Sequence, residues 1–221
     1  MIIGLSGKKQ SGKNTVARLI QALSWFNNCN SDANYRYGNE ILTDKNQCLK
    51  WLENQDEIPN KWSEHSFAFK LRMCLYVITG KDEIFNGDDE SKNKSSGILN
   101  NEGRELTNRE LLQIFGTEVG RSISKNIWVN ALINDYKKEV SSGLPINWLI
   151  TDVRFPNEVE AIKNNGGIVI RINRNTDRVD NHLSESALDN YKDFNAVINN
   201  NGTLEELLET IDKTLINLNI K

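Results

Sequence analysis

The chain has 221 residues, 38% of them apolar, with a formal net charge of −3. That length points to one domain with a real core and excludes global disorder, and the charge excludes a general electrostatic pull toward nucleic acid or acidic membranes. Three scattered cysteines (Cys29, Cys48, Cys74), no C-x-x-C pair and only two histidines exclude a disulfide framework and a structural zinc site.

Met1-Ile2-Ile3-Gly4 opens the chain with no basic stretch ahead of it and no long apolar run after it. Neither a signal peptide nor a membrane span is expected, and the expected compartment is the reducing cytoplasm. Ile2 to Ser6 reads as a short buried strand ending at Gly7. A helix follows from about Gly12, with Val16, Leu19, Ile20 and Leu23 on one face. From about residue 27 to 65 the chain is polar, with a short helical signal around Cys48 to Leu52. It reads as a surface excursion of the same single domain, 1–221. Phe67-Ala68-Phe69 reads as a weak strand running into a helix through Leu71, Leu75 and Ile78, stopped by Gly80. Asn86 to Gly103 is charged and rich in Ser, Asn and Gly, and reads as a mobile segment.

Thr107-Asn108-Arg109-Glu110 is a capping box, so a helix starts there and buries Leu111, Leu112 and Phe115. A further helix spans about Trp128 to Val140. Trp148 to Asp152 is a second buried strand. Pro156 then opens a helix that Gly166-Gly167 ends. Ile168 to Ile172 and Ala196 to Ile198 are further strands. Thr203 to Glu206 caps a last amphipathic helix through Leu204, Leu207, Leu208, Ile211 and Leu215. Strands alternating with helices predict an α/β fold with a central parallel sheet flanked by helices.

Gly7-Lys8-Lys9-Gln10-Ser11-Gly12-Lys13 fits GxxxxGK. Glycines let the backbone curl so that N–H groups point at phosphate oxygens. The helix adds its positive end, and Lys13 reaches the outer phosphates of a nucleotide. The strand before and the helix after supply the context a P-loop NTPase needs. Where the strict motif has Ser or Thr after the lysine, this chain has Asn14, then Thr15. The hydroxyl that holds Mg²⁺ is then expected on Thr15, or on Ser11, and Mg²⁺ is expected with ATP. Lys8 and Lys9 read either as a solvated pair or as phosphate contacts. Asp152 closes a strand, where open α/β sheets place ligands. It reads as a Mg²⁺ ligand or proton acceptor, or as a helix cap. Arg154 reads as a phosphate clamp or as a salt bridge to Asp152. Arg171, Arg174 and Arg178 precede Asp180, His182, Ser184 and Glu185. They suggest a lid over about 174–190 that closes on the triphosphate. His182 has no Cys or Asp pair at ligand spacing, so no metal site is read there.

The chain resembles the deoxynucleoside monophosphate kinases of the type carried by tailed phages. The resemblance runs through IGLSGKKQSGKNTVA at 3–17, FAFKLR at 67–72 and LTNRELLQIFGTEVGRSISKNIWVNAL at 106–132. It continues in WLITDVRFPNEVEAIKNNGGIVIRINR at 148–174, HLSESALDNY at 182–191 and VINNNGTLEEL at 197–207. It implies a nucleoside-monophosphate-kinase-like fold and transfer from ATP to a dNMP. It also implies acceptor recognition by Lys70, the Gly116-Thr117-Glu118 turn, Arg121 and Trp128, with Asn201-Gly202-Thr203 near the adenine. An arginine suits a monophosphate and an aromatic a base, although Trp128 could equally pack in the core. Similar enzymes are often dimers, so a homodimer is one expectation. The mechanism expected is in-line transfer. Lys13, Asp152, Arg154 and Arg174 serve the reaction, and Arg178, Asn201 and Gly202 serve ATP. Two rivals stay open: a P-loop kinase for another small acceptor such as dephospho-coenzyme A, and a non-catalytic ATP-binding regulator. No NKxD segment supports a GTPase.

Overall fold

The computed structural model describes residues 1–29, 36–37, 40–41, 44–54, 62–86, 89–143, 146–175 and 182–220. These fall into two compact units: Met1–His65 together with Pro145–Lys221, and Ser66–Leu144. The first unit begins with β1 (Ile2–Ser6), buried at every position, and α1 (Lys13–Cys29). Val16, Leu19, Ile20 and Leu23 of α1 are fully buried, as the helical period requires. β2 (Arg36–Tyr37) and β3 (Glu40–Ile41) make a small antiparallel hairpin. α2 (Gln47–Asn54) packs on α1, and β4 (Trp62–His65) follows. The excursion expected over 27–65 therefore ends in a sheet strand. Trp62 anchors it: its indole N–H donates to Ser24 Oγ at 3.0 Å, and its carbonyl accepts from Gln21 Nε2 at 3.1 Å.

The second unit contains α3 (Ala68–Thr79), a 3-10 turn (Asp82–Phe85) and α4 (Asp89–Asn93). Next come β5 (Ser95–Leu99), β6 (Glu105–Thr107), α5 (Asn108–Gln113), a π-helical segment (Ile114–Gly120), α6 (Arg121–Ile123) and α7 (Ile127–Ser141). The strand expected at 67–69 is instead the start of a helix. Phe67, Leu71 and Leu75 are buried at a spacing of four while Phe69 is exposed, which is a helical and not an alternating pattern. Gly80 does end that helix, in the left-handed conformation with φ 67°. The segment 86–103, expected to be mobile, supplies α4 and the hairpin strand β5. Its polar residues bond backbone: Ser96 Oγ donates to Leu106 O at 2.7 Å, and Asn108 Nδ2 donates to Ser91 O at 2.9 Å. The capping box at Thr107 and Glu110 forms as expected. Leu111 is buried, while Leu112 and Phe115 are half-buried. Outward, α3 shows an apolar stripe of Phe69, Met73, Tyr76 and Val77, the last 81% exposed.

The first unit resumes with β7 (Asn147–Val153), α8 (Pro156–Asn164), β8 (Ile168–Asn173), α9 (Leu183–Ser186), β9 (Ala196–Asn199) and α10 (Leu204–Asn217). Its sheet is five-stranded, in the order β4-β7-β1-β8-β9, and every pairing is parallel. Side chains alternate across it. Ile3 and Leu5 of β1 join α1 and α10 in one core that includes Leu149, Ile170, Ile198, Leu208 and Ile211. Gly4 faces α8, where a Cβ would lie 2.6 Å from Ile162 Cδ1. Trp148 is fully buried and stacks on His65 at 3.5 Å. Asn195 closes the β8 edge by bonding both the N–H and the C=O of Val169 at 2.9 Å. Among the described residues, no helix is long and apolar enough to cross a membrane.

Candidate active site

The parallel register brings the carboxyl ends of β1, β7 and β8 together, and Gly7–Lys13 loops from β1 into α1 at that edge. Local chemistry fixes the loop. Gln10 adopts φ 62° and Gly12 φ 94°. A Cβ on Gly12 would collide with the Asn200 amide, whose Nδ2 donates to Ser11 O at 2.9 Å. Gly12 is therefore required both for its dihedral and for that close approach. Ser11 Oγ is buried against Gly7 and has no hydrogen-bond partner among the described residues. Lys13 Nζ donates to Gly7 O at 2.7 Å and to Lys8 O at 2.9 Å, so the ammonium lies across the loop. Burial, with Arg154 beside it, lowers Lys13 from 10.5 to about 8, against the opposing pull of Glu185 and Asp152. Asn14 is exposed and Thr15 half-buried in the first turn of α1.

Asp152 is half-buried near the end of β7. The helix cap that it might have supplied comes from elsewhere. Glu158, 2% exposed, accepts the Arg154 N–H at 2.7 Å and the Phe155 N–H at 3.1 Å. The carboxylate that pairs with the Arg154 guanidinium is Glu185, which also accepts the Lys9 N–H at 2.8 Å. Lys8 is not a solvated cation, because its Nζ lies 3.1 Å from Asp189. Arg171 lies within β8 and not after it. Its guanidinium donates to Ser6 Oγ at 3.1 Å and pairs with Asp189 at 3.4 Å. Burial lowers its pKa. Arg174 is exposed just past β8, and Arg178 lies outside the described residues. After β9, Asn201 Oδ1 accepts the Asn175 N–H at 2.8 Å. Gly202 leaves room for Glu206, whose carboxylate caps α10 through the Thr203 N–H at 2.9 Å.

The second unit holds the other candidates. Lys70 on α3 pairs with Asp135 on α7 at 2.9 Å. Thr117 and Glu118 lie on the π-helical segment, half-buried and exposed respectively. Wide helical turns of this kind recur at functional sites. Trp128 is 8% exposed. Its indole N–H donates to Gly116 O at 2.8 Å, and a Cβ on Gly120 would lie 2.6 Å from its ring. The ring therefore packs inside the π turn. Arg121 donates to Lys125 O at 3.1 Å.

Arg171, Glu158, Glu185, Asp189 and Asn200 were not among the candidates drawn from the sequence. Arg171 carried a signal, being polar at the end of a buried strand. Glu185 and Asp189 carried none, since both lie far along the chain from the groups they hold. Among the described residues there is no cluster of three or more His, Cys, Asp or Glu able to cage a metal. A cation held largely by phosphate oxygens, with one carboxylate such as Asp152, still fits this donor set.

A family model described as deoxynucleotide monophosphate kinase matches residues 43–211. The chain is 28% identical over 238 residues to the deoxynucleotide monophosphate kinase of Enterobacteria phage T4, covering 97% of this chain and 98% of that protein. It is 27% identical over 189 residues to the deoxynucleoside-5′-monophosphate kinase of Escherichia phage T5, covering 74% and 72%. It is 31% identical over 119 residues to the deoxynucleotide monophosphate kinase of Escherichia phage RB69, covering 53% and 48%. With a family model matched over well more than half its length, the chain belongs to the deoxynucleotide monophosphate kinase family.

Proposed function

We propose that this chain transfers the terminal phosphoryl group of ATP to the 5′-phosphate of a deoxynucleoside monophosphate in the cytoplasm, giving dNDP and ADP. The observation that carries the reading is the phosphate loop at the carboxyl edge of the sheet, with Lys13 across it and Arg154 and Arg171 beside it. The nucleophile is a phosphate oxygen that is already anionic, so no strong base is needed. The chain's task is to neutralise charge and align the reactants. The loop amides hold the donor phosphates. Lys13 exchanges its two carbonyl contacts for phosphate oxygens. Arg154 and Arg174 meet charge as it develops on the transferred group. Asn201 and Gly202 border the adenine. Mg²⁺, held by the phosphates with Asp152 and the Thr15 hydroxyl, supplies charge neutralisation when bound.

Acceptor recognition falls to Lys70, Thr117, Glu118 and Arg121 of the second unit, with Trp128 holding the turn that carries two of them. A homodimer is part of this reading. The exposed apolar stripe on α3 supports it, since such stripes mark contact surfaces. An ADP-release assay with ATP and Mg²⁺ tests the reading across the four canonical dNMPs, their ribonucleotide counterparts and dephospho-coenzyme A. Turnover of at least one dNMP is expected. Turnover of dephospho-coenzyme A alone, or of nothing, would overturn it.

A further inference from the structure

The cations around the phosphate loop are held by carboxylates from one short stretch of chain. His182 starts it, its Nδ1 accepting the Ser184 N–H at 3.2 Å. Leu183, the apolar residue of that turn, is 59% exposed, while the Glu185 side chain is 9% exposed. This reverses the ordinary partition of apolar and charged groups. A buried carboxylate is tolerated only with partners, and Glu185 has two. One oxygen accepts the Lys9 N–H and the other pairs with Arg154. Asp189 repeats the arrangement, with Lys8 on one oxygen and Arg171 on the other. Each acid thus ties one member of the phosphate loop to one arginine from the end of a neighbouring strand. A site meant only to attract anions would not place two acids here, so their presence calls for a positive role.

We propose that Glu185 is a positioning residue for phosphoryl transfer. Its carboxylate bridges the Lys9 amide and Arg154, fixing the loop and the arginine in the relation that the transferred group requires. This rests on the phosphotransferase reading above. An arginine side chain free to sample its rotamers must be ordered when phosphate arrives, and that ordering opposes binding and alignment. Glu185 orders Arg154 beforehand through one N–H group and leaves the other guanidinium donors for phosphate oxygens. The ion pair also neutralises the acid, so the carboxylate does not present a bare negative charge to the triphosphate. Asp189 acts likewise on Lys8 and Arg171.

The test is a double-variant cycle of Glu185→Ala and Arg154→Ala, read with ATP and a dNMP that the wild type turns over. Glu185→Ala should lower kcat by about 10²-fold, the scale of a misplaced reacting group, with KM for ATP within about threefold of wild type. The double variant should be no worse than Arg154→Ala alone, within about threefold, because the acid acts through the arginine. Wild-type kcat in Glu185→Ala, or additive losses in the cycle, would overturn the inference. So would tighter ATP binding with kcat retained, which would make the carboxylate a competitor of phosphate. Should the alanine variant unfold, Glu185→Gln keeps the volume but loses the charge, and it should show the same split to a smaller degree. Amide exchange at Lys9 gives a second readout that does not depend on turnover. In the nucleotide-free protein it should quicken at least about tenfold when the acceptor oxygen is removed. Unchanged exchange would overturn the bridge. A wild type that turns over no dNMP would sink the kinase reading itself and leave the exchange experiment to decide the bridge.

Discussion

Lys13 lies under two opposing demands. It must carry positive charge to meet phosphate, yet burial and Arg154 hold its pKa at about 8 in the free protein. Phosphate binding supplies the counter-charge, so nucleotide affinity should be linked to pH. Between neutrality and about pH 9.5 the dissociation constant for ATP should rise, steepening above the folded pKa as the ammonium is lost. Isothermal titration at several pH values measures this, and a flat profile would contradict the assignment. The sign for stability is opposite. The unfolded chain binds the Lys13 proton up to about 10.5, whereas the folded chain releases it near 8. The Lys13 contribution to stability therefore rises with pH across that window. Lys13→Ala should reduce kcat by about 10²-fold or more, with an unfolding midpoint close to wild type. This residue was legible in the sequence because its neighbours define it: a glycine at each end of a short loop, between a strand and a helix. Glu185 was not legible, since it meets the Lys9 amide across 176 residues, and no spacing rule reaches that far.

Among the elements, the π-helical segment and Trp128 make the least expected pair. One wide turn leaves Gly116 O to be bonded from outside the helix, and Trp128 Nε1 supplies the bond. Trp128→Phe keeps most of the ring and removes the N–H. It should cost about 1–3 kcal/mol, the scale of a buried carbonyl left unpaired, read as a lower midpoint in urea. If the turn presents Thr117 and Glu118 to the acceptor, KM for the dNMP should rise in this variant while KM for ATP holds. Equal changes in both would remove the turn from acceptor recognition. The capping boxes at Thr107 and Thr203 were legible because each is a local four-residue device. A π segment leaves no comparable trace, since its hydrogen bonds shift by one residue without changing the apolar period. The strand misread at 67–69 has a related cause. Three residues cannot separate a period of two from a period near four, and only the burial of Leu71 and Leu75 decides it.

At the scale of the whole molecule, a net charge of −3 conceals a cationic cradle. Lys8, Lys13, Arg154 and Arg171 gather within one unit and are balanced there by Asp152, Glu185 and Asp189. The parallel sheet was legible from its strand–helix alternation, whereas the strand order was not, because register depends on contacts distant in sequence. That sheet depends on the core shared by α1 and α10. Leu208→Ala, at a fully buried position, should destabilise by about 2–5 kcal/mol, and a loss below about 1 kcal/mol would mean the site tolerates collapse better than its packing implies. The central claim is that the phosphate loop serves transfer to a deoxynucleoside monophosphate. The most direct measurement is ADP release with each of the four dNMPs, run side by side for the wild type and Lys13→Ala. The account predicts acceptor-dependent turnover by the wild type with at least one dNMP, lost in the variant. ADP release at the same rate with and without acceptor, or a variant as active as the wild type, would contradict it.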